Sequence, residues 1–146
     1  MTDIEIAVEE IQKAYAAAAW ERDVQRFIGL YDERVRVFDA WGVWQYEGAR
    51  QWQRAVEGWF SSLGSERVRV TFEDTTAVGT TALAFASATV TYAGVSAEGE
   101  ELRSMQNRIS WGLRSTGHVL RIVHEHTSAP VGFDDMKAIL HRAASK

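Results

Sequence analysis

Leu120–Pro130 reads LRIVHEHTSAP, an apolar run into which three consecutive ionisable residues, His124, Glu125 and His126, are set. β-Branched residues recur along it and the only proline of the chain, Pro130, closes it, so a strand is expected here. Side chains alternate between the faces of a strand. Leu120, Ile122, His124 and His126 then share one side, and Arg121, Val123, Glu125 and Thr127 the other. Each face mixes polar with apolar groups. Buried polar groups need hydrogen-bond partners, so this pattern points to a cavity on one side and a second layer or a subunit on the other.

Working outward, three more strands precede this one: RVRVTFEDTTA from Arg67, TALAFASATVTYAG from Thr81, and a long segment from about Leu102 to Arg114. Turns are expected at Val78-Gly79, from Gly94 to Gly99, and from Ser115 to Gly117. On the Leu102–Arg114 strand, Gln106, Arg108 and Ser110 share one face, and Asn107, Ile109, Trp111 and Leu113 the other. The first half of the chain is mainly helical. Thr2 and Glu5 have capping-box spacing, and Ile4, Val8, Ile11 and Tyr15 follow at the helical period in a helix ending near Trp20. Asp23 opens a second, short helix carrying Phe27, Ile28 and Leu30. Arg34–Asp39 and Val43–Tyr46 alternate like a short hairpin around Trp41-Gly42, with Gly48 at its end. Ala49–Leu63 forms a third helix with an apolar stripe of Trp52, Val56, Trp59, Phe60 and Leu63. Asp134 is placed to cap a short tail helix from Asp135 to Ala144, within a tail spanning 131–146. The expected class is α+β: a curved, cone-shaped antiparallel sheet packed by three helices from the N-terminal half, in one domain over 1–146.

The composition excludes several functions. A net charge of -4 with scattered Lys and Arg gives no footprint for nucleic acid. The absence of cysteine excludes disulfides, thiolate metal sites and cysteine nucleophiles. No apolar stretch approaches the roughly 20 residues that span a bilayer. The start of the chain, with Thr2, Asp3 and Glu5, lacks a basic-then-apolar leader, so a soluble cytoplasmic protein is expected. No nucleophile elbow, phosphate-cradling loop or dinucleotide fingerprint occurs, and no cofactor is expected.

The order of elements, the YDERVRVFDAWG segment, the NRISWGL strand and above all RIVHEHTSAP resemble the SnoaL-like and ketosteroid isomerase-like domains of the nuclear transport factor 2-like superfamily. The resemblance runs from about Ile4 to Pro130. The C-terminal part is also similar to the association domain of calcium/calmodulin-dependent protein kinase II, where an arginine strand precedes an IVHxHxS strand ending in Ala-Pro. It implies a cone-shaped α+β fold, commonly dimerising through the outer face of its sheet. It sets Glu125 and Thr127 inward and His124 and His126 outward, and places Arg108 on the cone lining. This chain has Thr127 where the association domain has a second arginine, and Leu120 where a tryptophan is usual. Such folds host isomerases, cyclases, dehydratases, hydrolases and non-catalytic modules alike.

Three residues are candidates for acid–base chemistry. Arg108 and Glu125 could meet inside the cone, as a tuned pair or as a self-satisfied ion pair. Asp39, beside Phe38 and Trp41, could be a carboxylate of raised pKa suited to proton abstraction, or a turn residue bonding nearby backbone N–H groups. Tyr15 and Tyr31 are candidate donors to a developing oxyanion, and Trp20, Trp41, Trp44 and Thr127 candidate ligand contacts. Trp52 and Trp59 sit at core spacing. His124 and His126 share a face but lack the third ligand a metal needs, so they are assigned, with Ile109 and Trp111, to a dimer face, and no metal is expected. The leading expectation is a homodimer whose cone binds a small, mostly apolar organic molecule and performs cofactor-free isomerisation, cyclisation or dehydration. The alternative is a non-catalytic ligand-sensing or oligomerisation module.

Overall fold

The computed structural model describes residues 1–143. In chain order the elements are α1 (Asp3–Glu21), α2 (Val24–Ile28), β1 (Tyr31–Phe38), β2 (Tyr46–Glu47), α3 (Ala49–Ser61), β3 (Arg67–Gly79), β4 (Leu83–Val95), β5 (Glu101–Thr116) and β6 (Val119–Ser128). The class is α+β, as the sequence indicates. Thr2 caps α1, its hydroxyl accepting the Glu5 N–H at 3.3 Å. Asp23 caps α2 in the same way through Arg26 N–H at 3.1 Å. The buried stripe of α1 is Ile4, Val8, Ile11, Tyr15, Ala18 and Ala19, and that of α3 is Trp52, Val56 and Phe60.

The six strands form one open sheet in the order β2-β1-β6-β5-β4-β3. It is mixed, not wholly antiparallel. β1 runs parallel to β6, pairing Val37 with Glu125 and Phe38 with His126. Parity fixes which face a side chain takes but carries nothing about strand direction, and a parallel pair joined through the rest of the chain leaves no local turn to read. Two of the register shifts in the sheet bear on how its strands are read. Glu73 pairs with Thr89 and Thr76 with Ser87, and the extra residue on β3 goes with Asp74 at φ 56°.

The second bulge corrects the parity of the last strand. Gly112 pairs with His124 but Leu113 with Ile122, so Val123 is the extra residue. Ile122 is thereby fully buried on the same side as Glu125, and does not share the face of His124 and His126. On β5 the inward residues are Asn107, Ile109, Trp111 and Leu113, all buried. Ile109 and Trp111 therefore belong to the core and not to an outer dimer face. This set is the more apolar of the two faces, and water exclusion selects it.

The tail helix also fails to form over the described residues. Val131 instead bridges Ala138, Asp135 Oδ1 accepts the Lys137 N–H at 3.0 Å, and Met136 has φ 59°. The helix end expected at Ala144 lies outside the described residues. Beyond the point where β6 stops pairing, the tail lies along the free edge of β5, the Gln106 N–H donating to the Leu140 carbonyl at 2.7 Å. That backbone pairing supplies a partner which an isolated helical turn would forgo.

Candidate functional site

Helices α1 and α3 and the concave face of the sheet enclose a cavity of about 590 Å³. Rings from Tyr15, Tyr46, Trp52, Trp59 and Tyr92 form much of its wall, with Trp41 at the loop after β1 and Leu140 from the tail. The volume falls within the range of small-molecule sites, and so does the lining, apolar with a few placed polar groups.

Glu125 is the deepest of those groups, with 1% of its surface exposed. Its Oε1 accepts two hydrogen bonds, from the Tyr31 hydroxyl at 2.6 Å and from the Trp111 indole N–H at 2.9 Å. Burial pushes the carboxyl from 4.5 up to about 7, against the two hydrogen bonds, which favour the anion; the negative charge of Asp39 adds to the rise. Glu125 thus exchanges its proton near neutrality. A phenol pair completes the surroundings: the Tyr15 and Tyr92 hydroxyls lie 2.8 Å apart, and burial drives both well above the ordinary phenol value. The ring of Tyr31 faces Trp52 edge-on at 6.1 Å; its hydroxyl donates to Glu125, and against the larger effect of burial the neighbouring Trp52 side chain favours its ionised form.

Asp39 follows β1 and also lines the cavity. Its Oδ1 accepts the Thr127 hydroxyl at 3.1 Å and its Oδ2 the Trp41 N–H at 3.3 Å. Thr127 Oγ1 in turn accepts the Ala40 N–H at 2.9 Å. Both readings of Asp39 therefore describe its geometry: it makes a turn bond and it presents a carboxyl to the cavity. Burial raises its pKa, and the three donors around it oppose the rise. Thr127 is the joint between the two carboxyls, two residues from Glu125 on β6. Thr127→Val, which keeps the shape and removes the hydroxyl, is expected to cost about 0.5–1.5 kcal/mol because the part-buried Asp39 carboxyl and Ala40 N–H each lose a partner. It should also raise the Asp39 pKa further. Urea unfolding and a carboxyl NMR titration check both, and a valine variant as stable as the parent would refute the joint.

Other candidates lie elsewhere. Arg108 is on the outer face, exposed, its Nε donating to Ser128 Oγ at 3.2 Å, and Glu125 pairs across the ladder with Trp111 instead. Strand parity turns Arg108 outward, because its neighbours Asn107 and Ile109 take the buried inward face. Trp20 is outside the cavity, its ring under the Arg67 guanidinium at 5.6 Å. Trp44 is 91% exposed and away from the cavity. His124 and His126 do face outward, flanking the Phe38 ring at 5.0 and 5.4 Å, with the His124 Nδ1 2.7 Å from the Arg36 carbonyl oxygen. No cluster of three or more His, Asp or Glu side chains suited to a metal occurs among the described residues.

Sequence reasoning overlooked Tyr46, Tyr92 and Asn107 as cavity residues, and favoured core over ligand cage for Trp52 and Trp59. A signal for Asn107 was present: it shares strand parity with Ile109, Trp111 and Leu113, the most apolar set on β5. A lone amide in such a set is a candidate cavity residue. The tryptophans could not be separated by spacing, because core and cavity wall are the same face of α3.

With this geometry, comparisons with known proteins identify the family. Residues 8–132 match the model of the SnoaL-like domain, and the chain belongs to that family. No match was found among curated proteins. Among solved structures it is similar to an NTF2-like protein of unknown function from Pseudomonas putida, at 22% identity over 96% of both chains and a TM-score of 0.77. ActVI-ORFA from Streptomyces coelicolor is similar at 12% identity, over 87% of this chain and 97% of that one, also with a TM-score of 0.77. A candidate calcium/calmodulin dependent protein kinase II association domain from Xanthomonas campestris matches at 14% identity, over 84% and 85%, with a TM-score of 0.71. These likenesses show the NTF2-like, cystatin-like fold. No helix among the described residues is long and apolar enough to cross a membrane.

Proposed function

We propose that this SnoaL-like protein binds a small, mostly apolar organic molecule in the cavity and moves a proton on it with Glu125, without a cofactor. One observation carries the proposal: a fully buried carboxyl on an aromatic cavity wall, one oxygen held by Tyr31 and Trp111. Fixing Oε1 orients the carboxyl and leaves Oε2 for the ligand. A base that exchanges its proton near pH 7 is matched to proton transfer at neutrality. Asp39, nearer the loop and only half-buried, sits in surroundings unlike those of Glu125, the kind of inequality that divides roles between paired carboxyls. Isomerisation, cyclisation and dehydration all need such a group to take a proton at one carbon or oxygen and return it at another.

The test needs no knowledge of the natural substrate. 5-Nitrobenzisoxazole opens when a base removes the C–H proton of its isoxazole ring: the proton goes to Glu125, the carbon–nitrogen bond becomes a nitrile as the N–O bond breaks, and a coloured cyanophenolate leaves. The protein should accelerate this opening with a rate that rises with pH through about 7, because the ionised form of Glu125 is the base. Glu125→Gln should fall to the rate of free acetate, a loss of about 100-fold or more. A glutamine variant as active as the parent would sink the proposal. If no base-dependent turnover appears and the protein sediments as a discrete multimer, the non-catalytic assembly reading takes its place.

A further inference from the structure

Charge is distributed unevenly around the cavity. Asp39 and Glu125 both line it, and the one cationic side chain lining it among the described residues, Arg103, is bound to Glu66 at 2.7 Å. The lining thus carries two carboxyls that no basic side chain among the described residues answers. Neither is closed off. Glu125 is 1% exposed, and while its Oε1 accepts from Tyr31 and Trp111, its Oε2 accepts no hydrogen bond among the described residues and is not sealed by neighbouring atoms, so it opens on the cavity. Asp39 is half-buried in the loop after β1. Its two oxygens accept one bond each, from the Thr127 hydroxyl and the Trp41 N–H, and each keeps a further lone pair.

A buried carboxyl without a counter-charge is costly, so a wall bearing two of them favours a partner of opposite sign. The rest of the wall suits a cation as well. Trp41, Tyr46, Trp59 and Tyr92 line the same space, and the face of an aromatic ring attracts positive charge. Tyr46 stands beside Asp39: after burial, the charge of that carboxyl is what raises the phenol. A carboxylate or phosphate entering would meet like charge in surroundings that screen it poorly, and the chain as a whole, at -4, draws cations and not anions.

We propose that the cavity takes a protonated amine on an apolar body, the ammonium group answering Asp39 and Glu125 while the rings hold the body. The inference rests on the cavity being the binding site, and goes beyond Glu125 chemistry by naming the charge of the ligand and the ligand class that is rejected. The ammonium N–H groups donate to the Asp39 carboxylate and to Glu125 Oε2, both acceptors when ionised. A positive charge beside Glu125 favours its anion, the form that takes up a proton, so the ligand itself readies the base. A neutral molecule of the same shape gains the ring contacts but leaves both carboxyls unanswered, and an acid is repelled.

Three probes of nearly one shape separate the contributions: 2-(aminomethyl)naphthalene, 2-(hydroxymethyl)naphthalene and 2-naphthoate, measured by equilibrium dialysis at pH 7 against the whole chain. The parent protein should hold the amine about tenfold more tightly than the alcohol, and the naphthoate least. Asp39→Asn and Glu125→Gln, close in shape and uncharged, should each shrink the amine-to-alcohol preference by about threefold or more. Because a change in packing acts on amine and alcohol alike, the preference and not the affinity is the readout. Alcohol or naphthoate bound as tightly as the amine, a preference unchanged by either substitution, or no binding of any probe would overturn the proposal. An amine preference with no proton-transfer activity would overturn Glu125 catalysis instead and leave this inference standing; opening of the nitrobenzisoxazole with no amine preference would do the reverse.

Discussion

Glu125→Gln is expected to stabilise the protein by roughly 3 kcal/mol above pH 8 while leaving it little changed near pH 4. The folded protein holds the Glu125 proton up to about 7, against 4.5 for an ordinary glutamate. A carboxyl whose folded value is raised makes the folded state bind more protons than the unfolded state between those two values. Its contribution to stability is present below about 4.5 and is lost as pH rises to about 7, after which the loss is constant. Glutamine keeps an oxygen for Tyr31 and Trp111 and has no charge to bury, so it escapes that loss. Asp39 is raised in the same direction, so the parent profile contains its effect too; the difference between variant and parent isolates Glu125. Urea unfolding at four or five pH values from 4 to 9 measures it. Parallel profiles, or a variant weaker than the parent at pH 8, would mean that the carboxyl is not buried as described. The same substitution should abolish proton transfer, so stability gained with activity lost would mark a group kept for function.

Phe27→Ala is expected to cost about 3–5 kcal/mol, enough to threaten folding of a domain this size. Phe27 is the one buried residue of the five-residue helix α2 and is 0% exposed. Its ring meets Tyr15 at 4.6 Å, Phe60 at 5.6 Å, Tyr31 at 5.7 Å and Trp59 at 6.0 Å between centroids. It therefore ties α1, β1 and α3 together behind the cavity. Two of its neighbours, Tyr15, paired with Tyr92, and Tyr31, bonded to Glu125, stand at the site, so the damage should reach it as well. Phe133→Ala, at a ring 96% exposed, serves as the control and should leave stability within about 0.5 kcal/mol. A Phe27 variant that loses less than about 1 kcal/mol would show that the aromatic cluster can collapse onto the gap.

Much of the fold was legible. Capping by Thr2 and Asp23, the stripes of α1 and α3, and the alternation of the long strands rest on neighbours within a few residues, and local chemistry decides them. Glu125 and Thr127 were placed inward by parity together with the family resemblance, and the structure has them there. Arg108 was misplaced because its inward setting was carried over from a related domain, whereas the apolarity of Ile109, Trp111 and Leu113 argued for the opposite face. The bulge at Val123 was invisible, since an unpaired residue is defined by the partner strand and not by its own. The tail failed as a helix because its alternative partner, the edge of β5, lies far away in sequence.

The sequence alone determined the order of the elements up to β6, the α+β class and the separation of Glu125 from the histidine pair onto opposite faces of the last strand. These follow from short-range periodicity, and periodicity is a property of the chain. Only the tertiary structure decided that β1 runs parallel to β6, bringing Asp39 beside Thr127, and that Tyr31 and Trp111 close on Glu125. It also decided that Trp52 and Asn107 are among the residues lining one cavity with Glu125. Each of these is a meeting of groups 14 to 94 residues apart, or a cavity among them, and burial at such meetings sets the pKa.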